Sequence, residues 1–472
     1  MIRRHATEQT AIFFSVIKWV FLSSVIGVLI GIVVSFFLKA IGWAELHQST
    51  LPFHYYYLLP VVLVVTVWLV KTFAPNAEGH GTEKVIEAIH KHEGKIDVAV
   101  IPVKLIATLL TIFAGGSVGK EGPGAQIGAG VASLIATTLK FRKGDRKKLV
   151  ICGISAGFAS VFGTPIAGAI FGVEVLIIGV IMYDVLLPSF IAGFAAFTTT
   201  QFLGVEYTYF NVRFYQSVAL DIPLIVQVII AGVFFGVVSD ILVTTLTKSS
   251  QKIKKLPYSP YMIALVGGAV LVVLTMIFGE KYLGLGMGTI KEALNPESSV
   301  HGDLPWYAFL LKTVFTSITL AVGGSGGIIT PIFYVGATSG NLFGHLAGGD
   351  HIPLFAALGF VSVLSGATNA PIAATIMAVE LFGLEIAHYA AISAVMSFLL
   401  TGHRSVFNSQ KLGMTKSDAL FIELGEDIEN TNVKLEEKEA KKIHSFTERL
   451  REKKEKLYSR KSNPTLKPPD SK

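Results

Sequence analysis

The segment GGSVGKEGPGAQIG, Gly115–Gly128, sets one carboxylate, Glu121, between a glycine-rich turn and Pro123. Proline in the first turn of a helix gives up no hydrogen bond, so the pattern predicts a helix beginning near Gly122–Pro123. The first amides of such a helix have no partner within it, and its dipole end is positive. An anion can bind there without any full positive charge. A second segment, GGSGGIITP, offers the amides of Gly326, Gly327, Ile328 and Ile329 ahead of Pro331, and a third, GHGTEKV, predicts a helix start near Gly81. Three such starts suit a dehydrated anion better than a cation. Glu121 in its charged form competes with that anion for the same positive site, so protonating it or swinging it away would clear a path. A bland alternative stands beside this gate: a capping carboxylate, or one paired with Lys120.

Other isolated polar residues are candidates of a lesser kind. Glu174 and Glu380 close two similar segments, TPIAGAIFGVE from Thr164 and APIAATIMAVE from Ala370. Their equivalence points to a structural task, satisfying backbone amides between helices, with proton movement as the alternative. Lys104 is a lone cation in IPVKLIATLL; it either lends positive potential to the pathway or snorkels to the interface. His80, between two glycines, either donates an N–H to an anion or fills space at a helix mouth. His403 and Arg404 follow the last apolar run and read as interface anchors. A nucleotide loop is excluded, because Ala114 stands where the first glycine belongs and Glu121 where a hydroxyl is required.

The elements that must hold these residues are membrane helices. Of 472 residues, 51% are hydrophobic and only 15% charged, well below the ~25% of a soluble chain. Apolar runs recur from Ala11 to Leu400, and the first one lacks a small-residue cleavage site, so it reads as a retained helix. The single cysteine, Cys152, excludes an internal disulfide and a cysteine metal cluster. Basic residues gather at Arg3–Arg4, Lys140–Lys148, Lys248–Lys255 and in the tail, whereas Trp43–Thr50 and the loop Gly204–Leu220 carry almost none. The positive-inside rule makes the basic segments and both termini cytoplasmic. No basic–aromatic face accompanies the charge, which argues against nucleic acid as a partner.

The body repeats itself. GHGTEKVIEAI from Gly79 returns as GLGMGTIKEAL from Gly284, AGGSVGKEGPGAQIG from Ala114 as VGGSGGIITPIFYVG from Val322, and Thr164 onward as Ala370 onward. The three pairs share an offset of roughly 206 residues, so a whole half is duplicated. Duplicated halves with interrupted helices mark transporters whose site lies near the midplane. The expected organisation is a cytoplasmic tail (1–10), a transmembrane body (11–410, halves about 11–205 and 220–410), and a charged cytoplasmic tail (411–472), partly helical or disordered.

Taken in order, APNAEGHG, GKEGP, TPIAGAIFGVE, GGSGGIITP and NAPIAATIMAVE resemble the CLC family of chloride channels and proton-coupled chloride transporters, from about residue 15 to 410. The resemblance implies an all-α integral membrane protein with two inverted-topology repeats of tilted, partly half-spanning helices. It also implies an anion pathway in each subunit of a homodimer, and it fits a multi-pass protein of a prokaryotic plasma membrane. Glu121 matches the gating glutamate, and the anion site falls on Gly79, His80, Gly81, Gly119, Lys120, Gly122, Gly327, Ile328, Ile329 and Phe407. Four positions depart from the family pattern. His80 replaces a serine and Glu83 a proline, Ile329 replaces a phenylalanine, and Phe407 replaces a tyrosine whose hydroxyl faces the anion. Exchangers usually carry a glutamate at the position of Val175, which leaves Glu121 and Glu174 as the titratable candidates for a proton route. The reading preferred from sequence is channel-like conduction of chloride or a similar anion, with proton-coupled antiport as the alternative. A membrane enzyme or nucleotide-driven pump is the reading of another class. No cofactor or metal is expected.

Overall fold

The computed structural model describes residues 2–207, 221–295, 304–431 and 433–436. The mixed-charge stretch beyond 436 and most of the loop Gly204–Leu220 lie outside the described residues.

Among the described residues sixteen α-helices make up the body, eight from each half of the chain. The first half gives α1 (Ile2–Gln48), α2 (Leu59–Phe73), α3 (Thr82–Lys91), α4 (Val100–Phe113), α5 (Glu121–Thr138), α6 (Lys143–Phe162), α7 (Pro165–Glu174) and α8 (Tyr183–Phe202). The second gives α9 (Ile222–Lys254), α10 (Pro260–Phe278), α11 (Met287–Leu294), α12 (Ala308–Ala321), α13 (Ile329–Leu346), α14 (Ile352–Thr368), α15 (Pro371–Phe382) and α16 (Ala387–Leu400). Packing follows the duplication: α1 on α8 matches α9 on α16, α5 on α6 matches α13 on α14, and α7 meets α15 across the halves.

Among the described residues five helices, α1, α2 with the turn before it, α8, α9 and α10, are long and apolar enough to cross a membrane. Most of the rest are shorter, and α6, as long as α8, opens on the basic residues Lys143–Lys148. At 1.5 Å per residue, α7 or α15 covers only about half of a hydrocarbon core. Such helices survive because they lie inside protein: α14 is buried on every side and is the central rod of the second half. Where they start and stop follows local chemistry. Proline occupies the first turn of α7, α9, α10, α14 and α15, and Gly163 ends α6 in the left-handed conformation.

The structure moves three sequence boundaries. Trp43–Gln48 is the end of α1 rather than a loop, and Lys248–Lys254 is the last part of α9. Residues after 410 do not begin as a free tail. Strand β2 (Lys411–Leu412) pairs in parallel with β1 (Ile177–Ile178), and β3 (Leu420–Phe421) pairs antiparallel with β4 (Lys434–Leu435). Ile178, Leu412 and Ile422 form a small apolar cluster with Phe398 at the end of α16.

Ion pairs lie on both rims. Lys143 and Arg146 hold Glu93, Lys91 holds Asp427 and Lys18 holds Asp145, which gathers the basic loop, the end of α3 and the C-terminal segment on one face. On the opposite face His54 meets Glu280.

Candidate functional site

The two long glycine-rich loops meet as a miniature antiparallel pair. The Gly119 N–H donates to the Gly327 carbonyl at 2.7 Å, and the Gly327 N–H returns the bond to Gly119 at 2.5 Å. This sets the start of α5 beside the start of α13. The third loop closes in on the same point. A Cβ on Gly122 would collide with the His80 carbonyl, and one on Gly327 would sit 2.7 Å from the Gly122 nitrogen. Only glycine permits backbones this close. Gly79, Gly81, Gly119, Gly122, Gly327, Ile328 and Ile329 are therefore assembled at one place, from sequence positions far apart.

Glu121 lies at that junction, only 2% exposed. Its carboxylate reaches across to α13, where it accepts from the Thr330 N–H at 3.1 Å and from the Thr330 hydroxyl at 2.5 Å. Among the described residues Lys120 makes no ion pair with it. The carboxylate caps a helix start of the other half, in the place where a helix start would hold an external anion.

One side of the junction is open. A cavity of about 570 Å³ is lined by Lys39, Trp43, Glu45, Lys120, Glu121 and Thr330, among others, and it lies on the face away from the basic loops. The other side is closed by rings. His80 and Phe407 have centroids 5.6 Å apart, and Phe407 meets Phe171 edge-on at 6.5 Å. Phe407 is fully buried, so the side of the junction toward the basic face offers an aromatic edge where a hydroxyl was expected from the family pattern.

Two buried lysines hold the loops. Lys104 donates to the carbonyls of Ala77 (3.1 Å) and Gly79 (2.5 Å). Lys312 donates to those of Tyr282 (3.1 Å) and Gly284 (2.8 Å). Lys104 has no exposed surface, so the snorkelling alternative fails. Lys312 is its repeat mate, which sequence reasoning missed although the offset that relates the halves points to it. Thr330 was missed too. It stands inside a quoted motif, but nothing in the sequence says that its hydroxyl would face Glu121.

Glu174 and Glu380 act reciprocally. Glu174 accepts from the amides of Ile372 (3.0 Å) and Ala373 (2.8 Å) at the start of α15. Glu380 accepts from Ile166 (3.0 Å) and Ala167 (2.7 Å) at the start of α7. Both oxygens of Glu174 are thus engaged away from the Glu121 junction. Val175 is fully buried, and its carbonyl accepts from the Gln410 amide at 2.7 Å.

His403 and Arg404 differ from the interface anchors expected. Arg404 pairs with Asp240 on α9. His403 is 7% exposed and its Nε2 accepts from the Lys416 backbone N–H at 3.0 Å. Burial, with Lys416 nearby, pushes this imidazole down to about 4. Lys416 itself donates to Asn369, to the Phe398 carbonyl and to the Gly402 carbonyl, and so ties the C-terminal segment to the ends of α14 and α16.

Residues 61–402 match the family model described as "Voltage gated chloride channel". A "Chloride/fluoride channel protein" of Pseudomonas syringae pv. tomato is 35% identical, over 87% of this chain and 90% of its own. The crystal structure of "a CLC-type fluoride/proton antiporter" superposes with a TM-score of 0.78 and 31% identity, over 85% of this chain and 99% of that one. A slow cyanobacterial chloride/proton antiporter shares the fold at TM-score 0.68 and 20% identity, over 81% of this chain and 94% of that one.

Proposed function

The chain belongs to the voltage-gated chloride channel family, and from that premise we propose that each subunit carries a small halide, fluoride or chloride, through the junction of α3, α5 and α13 in exchange for protons. One observation carries the reading: the Glu121 carboxylate sits on the Thr330 N–H and O–H, donors that a halide would use. A halide and the charged carboxylate cannot share them. Entry of the ion requires Glu121 to leave, and a proton is what releases a carboxylate from such donors. The relatives support the two halves of the proposal separately. One is named for chloride and fluoride, and the other is described as a fluoride/proton antiporter. Fluoride suits a seat built of N–H and O–H groups, because it is a compact and strong hydrogen-bond acceptor.

The sequence reading preferred passive conduction, and Val175 still favours it: a valine takes no proton from the basic face. It stands as the second reading. The face rich in Lys and Arg is cytoplasmic in this proposal, and the large cavity beside Glu121 opens to the outside. The subunits assemble as a homodimer, each with its own pathway, in line with the family.

The two readings separate in liposomes holding the purified protein. A fluoride or chloride gradient, imposed with valinomycin present, should drive protons uphill, and the reversal potential should depend on both the halide and the pH gradient. A reversal potential that follows the halide gradient alone, with no proton movement, leaves the passive reading standing.

A further inference from the structure

Among the described residues ten shielded side-chain polar atoms lack a hydrogen-bond partner. Four of them gather at the start of α3: His80 Nδ1, Thr82 Oγ1, Glu83 Oε2 and, from the facing helix α5, Gln126 Oε1. The Gln126 oxygen lies beside Gly81, 3.1 Å from where a Cβ on that glycine would stand, and its amide nitrogen is already fixed on the Asn76 carbonyl at 2.9 Å. Shielded acceptors and donors without partners are costly, and a cluster of them is the usual place for ordered water. Gln126 shares α5 with Glu121, and the backbone carbonyl of His80 stands against Gly122, so the start of α3 lies beside the gate.

Glu83 is the one carboxylate in the cluster. One oxygen, Oε1, accepts from the Ser409 N–H at 3.0 Å and from the Ser409 hydroxyl at 2.6 Å. The residue is half-buried, and its Oε2 is shielded and has no partner. The charged groups around it are otherwise occupied. On its own helix Lys84 pairs with Glu87 at 2.9 Å; from α4, Lys104 is held by backbone carbonyls, and from α6 Arg146 is held by Glu93. Glu83 makes no ion pair among the described residues. A carboxylate with one oxygen held by Ser409 and the other shielded and unpartnered can take up a proton and pass it to a neighbouring water.

Resting on the exchange reading above, we propose that Glu83 is the proton-loading residue of the basic face, passing protons through water held by Thr82, His80 and Gln126 to Glu121. The transfer balances: the Glu83 carboxyl gives up its proton and becomes a carboxylate, a water chain moves the proton, and the Glu121 carboxylate becomes the carboxyl that leaves Thr330. This supplies from α3 the titratable group that the chain lacks at Val175.

The test is Glu83→Gln in the full-length protein, in liposomes with fluoride gradients and valinomycin. Glutamine keeps an oxygen for Ser409 but carries no titratable proton. The proton-to-fluoride ratio should fall at least about tenfold, the scale on which loss of a proton-transfer group is felt. Glu83→Asp should restore part of it, and Ser409→Ala, which removes a donor and leaves the carboxylate, should keep the wild-type ratio. Thr82→Val, which changes no volume to speak of, should lower the ratio independently. Wild-type ratios in both Glu83→Gln and Thr82→Val overturn the relay and leave the exchange reading intact. A wild-type protein that moves no protons overturns both.

Discussion

The carboxylate of Glu121, on α5, meets the N–H of Thr330, on α13, at 3.1 Å, so a residue of the first half of the chain caps a helix start of the second. The two are brought together by the Gly119–Gly327 pair, which fixes both helix starts in one frame. On the proposed function, a halide and this carboxylate compete for the same donors, and the competition can be tested one group at a time.

Glu121→Gln keeps an oxygen to accept from Thr330 but cannot be charged. Its hold on the N–H and O–H is that of a neutral acceptor, weaker than a carboxylate's. Fluoride efflux from liposomes, followed with an ion-selective electrode across a pH series, should lose its pH dependence, and proton counterflow should vanish. An unchanged pH profile would remove Glu121 from the gate.

Thr330→Val deletes the hydroxyl donor and leaves the backbone N–H. A hydrogen bond to a charged group contributes about 1.5–3 kcal/mol, so the hold on the ionised carboxylate should weaken by roughly tenfold or more. Fluoride flux at alkaline pH, where the ionised gate limits passage, should rise by about that factor relative to wild type. Fluoride binding measured calorimetrically on Glu121→Gln should weaken when Thr330→Val is added, because the ion uses the same hydroxyl. Flux and binding both unaltered would mean that Thr330 only closes a helix end.

The parts of this site differ in how far the sequence discloses them. Glu121 is legible because a carboxylate among apolar runs is costly and its glycine and proline neighbours dictate a helix start. The reciprocal capping by Glu174 and Glu380 is legible from the repeat, since equivalent residues on symmetric elements do equivalent things. Thr330 and Glu83 are not, because what matters is which loop of the other half lies opposite, and only the folded chain sets that. The strands after residue 410 were invisible for a simpler reason: two residues carry no periodicity. Burial of His403 follows from those strands and was hidden with them.

His403 gives the C-terminal segment a defined response to acid. Its undocked value is 6.5 and its docked value about 4, so the undocked state takes up the proton first. The contribution to docking is full above about 6.5 and declines as pH falls from there toward 4. Hydrogen exchange of residues 411–436, corrected for intrinsic rates, should show protection falling across that window. His403→Gln offers an oxygen to the Lys416 N–H and does not titrate, so its protection should be flat over the same range. A wild-type profile that is equally flat would contradict the assignment.

Glu174 and Glu380 have the same geometry and different burial, which predicts unequal costs. Each carboxylate satisfies two amides at the start of the partner helix. Glu174 is 5% exposed, whereas Glu380 is only part-buried, so the amides left without an acceptor are more fully shielded at α15 than at α7. Glu174→Ala should therefore destabilise by about 2 kcal/mol, in the range for an unsatisfied shielded group, and Glu380→Ala by less. Glu174→Gln still accepts from one amide and should fall between wild type and alanine in a detergent melting series. Transport separates this capping role from a proton role. If Glu174 only caps, Glu174→Gln keeps the proton-to-fluoride ratio while lowering the melting midpoint. A ratio that collapses in Glu174→Gln at unchanged midpoint would place Glu174 on the proton route. The two oxygens that the structure shows holding Ile372 and Ala373 would then have to release them in every cycle.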